Sequence, residues 1–278
     1  MVQGNLQHGK DATTNLIQHL ISGKSDIALI QEPHVHNNKV IGLKTSIGTV
    51  FAGTRVLNPR TCIFVNKKYH AILVPELSNR DLTVIYLERK IKGVDHPVMV
   101  ASAYLPYDHP DRREHCTTEV KRLIERCKTD NIQLILGMDA NAHHIVWGST
   151  DINQRGESLL DYLSSTDLYL LNRGNEPTFV TANRREVIDI TLSSKDLPTQ
   201  VRGWQVSKEL SASDHRWIRF KLIADEVKPK LYRDPRKTDW EKFLESLNEN
   251  LNFDGKEPRT REEVETALGH LKSNLLNS

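Results

Sequence analysis

The chain has 278 residues, with 38 basic and 36 acidic side chains and a formal net charge of only +2. This balance excludes nucleic-acid binding through gross positive charge, so any such surface must be local. The three cysteines form no Cys-x-x-Cys pair, which argues against a structural zinc and fits a reducing compartment. Because there is no signal peptide and no apolar run approaching ~18 residues, we expect a soluble, intracellular protein without membrane contact.

Short apolar strands alternate with helical stretches along most of the chain. Asn5 lies so close to Met1 that a first strand has little room, which suggests a trimmed amino end. Apolar residues spaced by three and four predict helices over 11–22, 112–128 and 156–165. Apolar and β-branched runs predict the strands 27–30, 49–52, 61–65, 71–74, 83–87, 98–104, 132–136, 169–171, 178–180, 187–192, 203–206 and 217–222.

The composition changes after Ile223. Residues 225–236 mix Lys, Arg and Asp with two prolines, which is typical of a linker. Residues 240–251 and 261–276 have the apolar spacing of amphipathic helices, and we expect them to be packing elements rather than a catalytic module. We therefore divide the chain into residues 1–222, which carry the chemistry, and a linker with a helical extension over 223–278.

A carboxylate and an amide follow the apolar run 132–136. Asp139 and Asn141 share one side of the extended chain, with small Ala140 between them. The carboxyl ends of strands are where open α/β sheets collect ligands, so the pair is placed as a phosphate-cleaving metal site requires. A turn that hydrogen-bonds its own backbone gives the same Asp-x-Asn pattern, and the pair alone does not decide between them.

Four further positions carry the same kind of chemistry. Glu32 ends an apolar run and precedes a proline that stops the strand. Tyr104 closes the run 98–104 and offers a hydroxyl donor, although half-buried packing explains it too. Asp189 lies among β-branched residues, where an unpaired carboxylate costs roughly 3–5 kcal/mol and therefore needs a partner. Asp214 and His215 stand side by side just before the last strand of this region.

Several short motifs occur in one order along residues 1–222. They are Gln3–Asn5, Gln31–Pro33, Tyr104, Met138–His144, Trp147–Ser149, Asn172–Gly174, Pro177–Phe179, Ile188–Asp189 and Ser213–His215. In this order they resemble the endonuclease/exonuclease/phosphatase family. Within it they are most similar to the endonuclease domain at the amino end of non-LTR retrotransposon polyproteins, particularly the insect R1-like branch.

The resemblance implies a fold and a metal. The fold is α/β (α+β): a two-sheet β-sandwich flanked by helices, four layers in all, like deoxyribonuclease I. The metal is Mg²⁺, with Mn²⁺ as the alternative, and it suits oxygen ligands. By the resemblance, Glu32 and Asn5 bind it and Asp214 lies near enough to join them.

The resemblance also implies catalytic roles. Asp139 would accept the proton of the attacking water, and Asn141 would orient water or phosphate. His215 would hydrogen-bond the scissile phosphate, while Asp189 would fix its tautomer and favour its charged form. This pairing would give the buried Asp189 carboxylate its partner. Tyr104 would donate to the phosphate.

Loops must decide the substrate, because lipid and inositide phosphatases, abasic-site repair enzymes and retroelement nickases share this core. Asn183, Arg184 and Arg185 fall between two predicted strands, on a hairpin tip that could enter a minor groove or grip phosphates. A solvated turn with two charges is the alternative. His143 and His144 do not predict a zinc site, because adjacent residues of an extended chain point opposite ways and no third close histidine or cysteine completes a set.

The sequence therefore predicts a Mg²⁺-dependent endonuclease that nicks double-stranded DNA and leaves a 3′-hydroxyl primer for reverse transcription. The resemblance implies that a reverse transcriptase domain of the same polyprotein follows, and that the protein acts in the nucleus. The alternatives are a repair-type abasic-site endonuclease and a catalytically silent DNA-docking module. Six polar site residues argue against the silent module, since such a module has no need of them.

Overall fold

A computed structural model of the chain describes residues 1–54, 56–106, 118–225, 239–250 and 259–277. The chain divides into two compact units, Met1–Lys228 and Pro229–Ser278. The functional division at residue 222 stays a prediction. Most of the predicted linker, 225–236, lies outside the described residues. No helix in the described ranges is long and apolar enough to cross a membrane.

Eighteen strands and five α-helices make up the described structure. The strands are β1 (Val2–Asn5), β2 (Ile27–Gln31), β3 (Val35–His36), β4 (Lys39–Val40), β5 (Gly48–Phe51), β6 (Thr61–Asn66), β7 (Ala71–Leu73), β8 (Leu82–Leu87), β9 (Lys90–Ile91), β10 (Val94–Asp95), β11 (Val98–Tyr104), β12 (Gln133–Asp139), β13 (Leu168–Leu170), β14 (Phe179–Val180), β15 (Arg185–Glu186), β16 (Asp189–Ser194), β17 (Val201–Val206) and β18 (Ile218–Leu222). The helices are α1 (Lys10–Ile21), α2 (Thr118–Thr129), α3 (Gln154–Ser164), α4 (Trp240–Asn250) and α5 (Arg261–Asn277). Three short 3-10 helices are Pro75–Leu77, Ile145–Trp147 and Pro198–Gln200.

Two six-stranded mixed sheets form the first unit. The first has the order β17-β18-β1-β2-β6-β5 and the second has the order β13-β16-β12-β11-β8-β7. β1 and β2 run parallel, as do β11 and β12, and the other neighbouring pairs of these sheets are antiparallel. The remaining short strands pair as hairpins, β3 with β4, β9 with β10 and β14 with β15.

The apolar residues sort into three layers of core. Alternate residues of the two sheets, such as Leu29 and Val100, pack against each other between the sheets. The opposite face of the first sheet packs on the buried side of α1, which includes Leu16. The opposite face of the second sheet packs on α2 and α3, which contribute Leu123 and Leu159. This arrangement is the four-layer sandwich that the resemblance implied.

Strand register brings the predicted polar residues to one edge of the sandwich. Tyr104 pairs with Asp139 across β11 and β12, and Asp139 pairs with Asp189 across β12 and β16. A side chain at Gly137 would place its Cβ 2.7 Å from Gln3 Oε1, so it would have to displace the Gln3 amide that approaches β12 from the first sheet. The two sheets therefore meet tightly just below the polar edge.

The predicted elements agree with the observed ones to within a few residues, and the differences lie mostly at strand ends. The predicted helix 112–128 is observed from Thr118, and its residues 112–117 lie outside the described part of the chain. The hairpins β3–β4 and β9–β10 and the strand β15 were not predicted, because two-residue strands carry too short a pattern. The expectation that a first strand has little room was wrong: Val2–Asn5 forms β1, which lies between β18 and β2 and is buried. The two predicted carboxyl-terminal helices are present as α4 and α5.

Candidate active site

Asp139 is the last residue of β12, and its carboxylate is buried at the centre of the polar edge. Its Oδ2 accepts a hydrogen bond of 2.8 Å from Asn5 Nδ2, and its Oδ1 accepts one of 3.1 Å from the backbone N–H of Asn141. Burial raises the pKa of Asp139 to about 7; repulsion from Asp189 adds to this shift, and attraction to His215 opposes it. A carboxylate that titrates near neutral pH is suited to accept a proton from water.

Asp189 and His215 form a buried pair beside Asp139. His215 Nδ1 lies 2.9 Å from Asp189 Oδ2 and 3.1 Å from Oδ1, so Nδ1 carries a proton and donates it to the carboxylate. His215 Nε2 lies 3.9 Å from Asp139 Oδ2. Burial alone lowers the pKa of His215, but the combined attraction of Asp189, Asp139 and Glu32 raises it to about 9. The structure thus supplies the partner that a buried Asp189 needs, and it leaves Nε2 directed towards Asp139.

Glu32 follows β2 directly and faces the same edge. Asn5 Nδ2 donates to Glu32 Oε2 at 2.9 Å as well as to Asp139, so one amide holds two carboxylates side by side. Asn5 Oδ1 accepts the backbone N–H of Gln7 at 2.8 Å. Without an ion, the amide of Asn5 therefore turns its nitrogen towards the carboxylates and its oxygen towards Gln7. Its ligand role stays a prediction. The Glu32 side chain is 18% exposed and stays open to an ion.

Tyr104 lines the site next to Asp139. Burial raises the pKa of its hydroxyl above the usual range, and the neighbouring Glu32 and Asp139 add to the shift. The hydroxyl therefore remains protonated and able to donate. The Arg60 guanidinium lies 5.0 Å from the centre of the Tyr104 ring and fixes the ring from its face.

Asn141 adopts a left-handed backbone conformation, with φ of 46°. Its Nδ2 donates to the carbonyl of Leu105 at 3.0 Å, and its backbone N–H donates to Asp139. These contacts support the loop after β12. The role predicted for Asn141, orienting water or phosphate, stays a prediction.

Asp214 has different surroundings from the other predicted metal ligands. It is exposed, and its Oδ2 accepts a hydrogen bond of 3.2 Å from Gln7 Nε2. Gln7 Oε1 in turn accepts the backbone N–H of Asp214 at 2.9 Å. Asp139, Asp189 and His215 have ligand atoms within 4.8 Å of one another, and Asp214 is not a member of that group. Its ligand role stays a prediction.

A hairpin is present at the predicted place beside His215, but it is tighter than predicted: its second strand is β15, which contains Arg185, whereas β16 pairs with β12 and β13 in the second sheet. Val180 pairs with Arg185 and Phe179 with Glu186, and Thr181 N–H donates to Arg184 O at 2.9 Å to close the turn. Asn183, Arg184 and Arg185 are all exposed. At the base of the hairpin, Phe179 forms a bridge with His215, and the two rings lie 5.0 Å apart. The exposed arginines therefore belong to a hairpin whose base, at Phe179, packs against His215 of the candidate active site.

Two buried residues that sequence reasoning did not single out hold the Asp189–His215 pair. Thr178 Oγ1 accepts the backbone N–H groups of Ile188 and Asp189, each at 3.1 Å. The Thr178 carbonyl accepts the N–H of Arg216 at 2.6 Å, so it also fixes the residue after His215. Asn172 Nδ2 donates to the Asp189 carbonyl at 3.0 Å. Both residues lie in motifs that carried the resemblance, but nothing in the sequence gave them a role.

Comparison with known proteins finds similar endonucleases. A family model described as endonuclease-reverse transcriptase matches residues 98–219. The endonuclease domain of TRAS1, a telomere-specific non-LTR retrotransposon, superposes with a TM-score of 0.69 at 28% sequence identity, covering 81% of this chain and 98% of that domain. This chain is thus similar to endonuclease domains of this kind over residues 98–219 in sequence and over 81% of its length in structure.

Two further similarities are to a much longer polyprotein and to a repair-enzyme domain of lower sequence identity. The chain is 28% identical over 135 residues to a retrovirus-related Pol polyprotein from the type-1 retrotransposable element R1 of Bradysia coprophila. That match covers 43% of this chain and only 13% of the polyprotein. The catalytic domain of Xenopus laevis APE2 has a TM-score of 0.60 at 14% identity, covering 82% of this chain and 95% of that one, and shares the fold.

Proposed function

We propose that this chain is the endonuclease domain of a non-LTR retrotransposon polyprotein. In this proposal it nicks one strand of double-stranded DNA and leaves a 3′-hydroxyl that primes reverse transcription by another domain of the polyprotein, in the nucleus. The likeness to the TRAS1 endonuclease domain over nearly all of that domain supports the proposal. So does the weaker likeness to the R1 polyprotein.

The observation that carries the proposal is the arrangement of Asp139, His215 and Asp189 at one edge of the sandwich. A carboxylate that titrates near neutral pH lies 3.9 Å from a histidine nitrogen whose ring is held by a second carboxylate. Hydrolysis of a phosphodiester needs both a group that accepts the proton of water and a cationic donor for the charge that develops on the phosphate. The three side chains supply these functions within one buried cluster.

The residues at this edge also fit a hard divalent cation. Glu32 presents a partly exposed carboxylate, and Asn5 holds it beside Asp139, so two carboxylates converge where a phosphate would approach. Such oxygen donors suit Mg²⁺, which binds through one or two carboxylates together with substrate phosphate. Glu32 would hold the ion, with Asp139 beside it. When bound, the ion would neutralise phosphate charge and stabilise the leaving oxygen.

The side chains of this chain then have separate tasks. Asp139 accepts the proton of the attacking water. His215 donates from Nε2 to a phosphate oxygen, and Asp189 keeps Nδ1 protonated so that Nε2 faces the substrate. The Tyr104 hydroxyl, which stays protonated, donates to the same phosphate. The bond from phosphorus to the 3′ oxygen breaks as the water oxygen bonds to phosphorus, and the expelled 3′ oxygen takes a proton from solvent to give the 3′-hydroxyl end.

The experiment is nicking of supercoiled plasmid by the purified chain. We expect conversion to the open circle with Mg²⁺, none in EDTA, and recovery when Mg²⁺ is restored. Glu32→Gln should lower the apparent affinity for Mg²⁺, whereas Glu88→Gln, which changes an exposed glutamate paired with His70, should not. Failure of both Mg²⁺ and Mn²⁺ to support nicking would overturn the proposal. Cleavage restricted to duplexes with an abasic site would replace it with a repair-type activity.

A further inference from the structure

A second group of metal-ligating side chains lies outside the candidate active site. Within the ranges that the structure describes, His143, Asp151 and Glu186 each offer one ligand atom, and these atoms lie within 4.8 Å of one another. His143 Nδ1 is 2.6 Å from Asp151 Oδ1 and 3.9 Å from Glu186 Oε2. The side chains of His143 and Glu186 are 9% and 8% exposed, whereas that of Asp151 is 58% exposed. Packing therefore fixes two ligands, and the third closes the group from the solvent side.

The backbone around these ligands is held by contacts that need no ion. The N–H of His143 donates to Asn153 Oδ1, and the carbonyl of His143 accepts the N–H of Asn153, both at 3.1 Å. Glu186 Oε2 accepts the N–H of Thr150 at 3.0 Å, and Oε1 accepts the Thr150 hydroxyl at 2.5 Å. The ligands thus occupy a preformed frame, which lowers the cost of ordering them around an ion.

The charges of the group match a divalent cation. With a neutral imidazole the two carboxylates carry two negative charges, and His143 is the one ion-pair partner that the described part of the chain gives to either of them. Two carboxylates this close together, one of them buried, need a compensating positive charge. An imidazole ligand favours Zn²⁺ and related transition metals over Mg²⁺ or Ca²⁺.

We propose that His143, Asp151 and Glu186 bind a divalent ion of the Zn²⁺ class, with water completing the coordination shell. Binding displaces the proton on His143 Nδ1, because a metal-bound imidazole nitrogen cannot keep it. His144 takes no part: its Nδ1 accepts the N–H of Val146. The adjacent histidines therefore do not act as a pair, and the missing ligands come from distant positions in the sequence.

The ligands His143 and Glu186 lie on two different segments of the chain, so an ion bound to both would link those segments. His143 belongs to the loop that follows Asp139, whereas Glu186 lies in β15, next to Arg185 and opposite Phe179. An ion bound here would join the catalytic loop to the exposed hairpin. This inference does not rest on the proposed nicking activity, because it concerns separate ligands and is tested by binding.

The test is titration of the full chain with Co²⁺ as a spectroscopic substitute for Zn²⁺, in millimolar Mg²⁺ to occupy hard oxygen sites. We expect one equivalent of Co²⁺ to give visible ligand-field absorption that Zn²⁺ abolishes. His143→Ala should weaken Co²⁺ binding at least about 10-fold. Loss of a residue that only hydrogen-bonds a ligand already lowers metal affinity by about that factor, and loss of a ligand should lower it further. The matched variant His144→Ala should keep the absorption.

A second variant covers the case in which His143→Ala does not fold. Asp151 is mostly exposed, so Asp151→Asn removes a ligand without disturbing the core. It should weaken Co²⁺ binding while circular dichroism stays unchanged. The proposal is overturned if the wild type gives no absorption, if both His143→Ala and Asp151→Asn bind Co²⁺ as the wild type does, or if only His215→Ala removes the signal, which would place the ion in the candidate active site.

Discussion

Asp139 and Asp189 face each other as paired residues of antiparallel strands β12 and β16, and both carboxylates are buried. Like charges directly opposite each other repel, and burial adds to the cost of ionising Asp139. His215 lies against both and offsets the repulsion. The strand register of the sheet thus sets the protonation of the site: burial and the opposed carboxylate raise the pKa of Asp139 to about 7.

This raised pKa predicts a pH dependence of stability. In the metal-free fold Asp139 keeps a proton that the unfolded chain loses near its ordinary pKa, roughly 3.9. Folding stability therefore falls as the pH rises from about 4 to about 7. Asp139→Asn removes this loss, so its melting temperature in EDTA should rise relative to the wild type across that range. Exposed Asp196→Asn is the control, and parallel wild-type and Asp139→Asn curves would contradict the assignment.

Removal of the side chain of Asp139 or of His215 should abolish nicking without unfolding the protein. Asp139→Ala loses the group that accepts the water proton, and His215→Ala loses the donor to the phosphate. Each change should lower the rate about 10²–10⁴-fold, the usual worth of such groups. Single-turnover nicking of a fixed duplex measures the effect, with circular dichroism as the check on folding. Near-normal cleavage by either folded variant would contradict the proposed roles.

Asp189→Asn should change the pH profile as well as the rate. The Asp189 carboxylate, through its charge and hydrogen bond, helps to raise the pKa of His215 to about 9 against the effect of burial. Activity that needs protonated His215 is present below that pKa and is lost as the pH rises through it. Without the carboxylate the pKa of His215 falls, so the alkaline limit of kcat/KM should move to lower pH. An unchanged limit would separate Asp189 from His215 in function.

Thr178 should act as a positioning residue. Its hydroxyl accepts two backbone N–H groups, those of Ile188 and Asp189, in the interior. Thr178→Val keeps the shape but leaves both donors unpaired, which costs about 1–3 kcal/mol for each unsatisfied group. We expect lower kcat with little change in KM, a shifted alkaline limit, and recovery of both in Thr178→Ser. If Val and Ser behave alike, the hydroxyl has no such role.

The hairpin tip should govern where the DNA is cut. Replacement of Asn183, Arg184 and Arg185 by Ala or Ser leaves the buried cluster untouched, so Mg²⁺-dependent nicking should persist. Loss of a good base contact costs about 1–3 kcal/mol, whereas loss of a phosphate contact weakens all sequences alike and lowers the salt dependence. We expect a shifted or blurred pattern of cuts on a fixed duplex. Exposed Arg202→Ala, on β17, controls for the lost charge; an unchanged pattern with a lower rate would reduce the hairpin to an electrostatic aid.

Much of the fold could be predicted because it depends on local pattern. Continuous apolar runs identified the strands that carry Asp139 and Tyr104, and strand ends are where side chains leave the core. The hairpin that carries Arg184 was predicted between two apolar runs, and the structure has a hairpin there, although its second strand is β15 and not the predicted strand 187–192. Surface hairpins such as β3–β4 lack that pattern and were missed.

The contacts that complete the site depend on register and loop path, which no local pattern encodes. Thr178 reaches Asp189 across a hairpin, and Gln7 reaches Asp214 across 207 positions of sequence. The orientation of the Asn5 amide follows from the N–H of Gln7, a contact that residue type alone does not indicate. The sequence predicted which residue types could carry the chemistry, but it did not predict their hydrogen-bond partners.

Direct extension of the nick tests the central claim. Plasmid nicked by the chain in Mg²⁺ is passed, without phosphatase treatment, to a DNA polymerase and labelled nucleotides, and the cut positions are mapped. We expect labelled product to begin at each nick, because expulsion of the 3′ oxygen leaves a 3′-hydroxyl. The His215→Ala variant should give none. Nicks that the polymerase extends only after removal of a 3′ phosphate would contradict the claim that this domain makes primers.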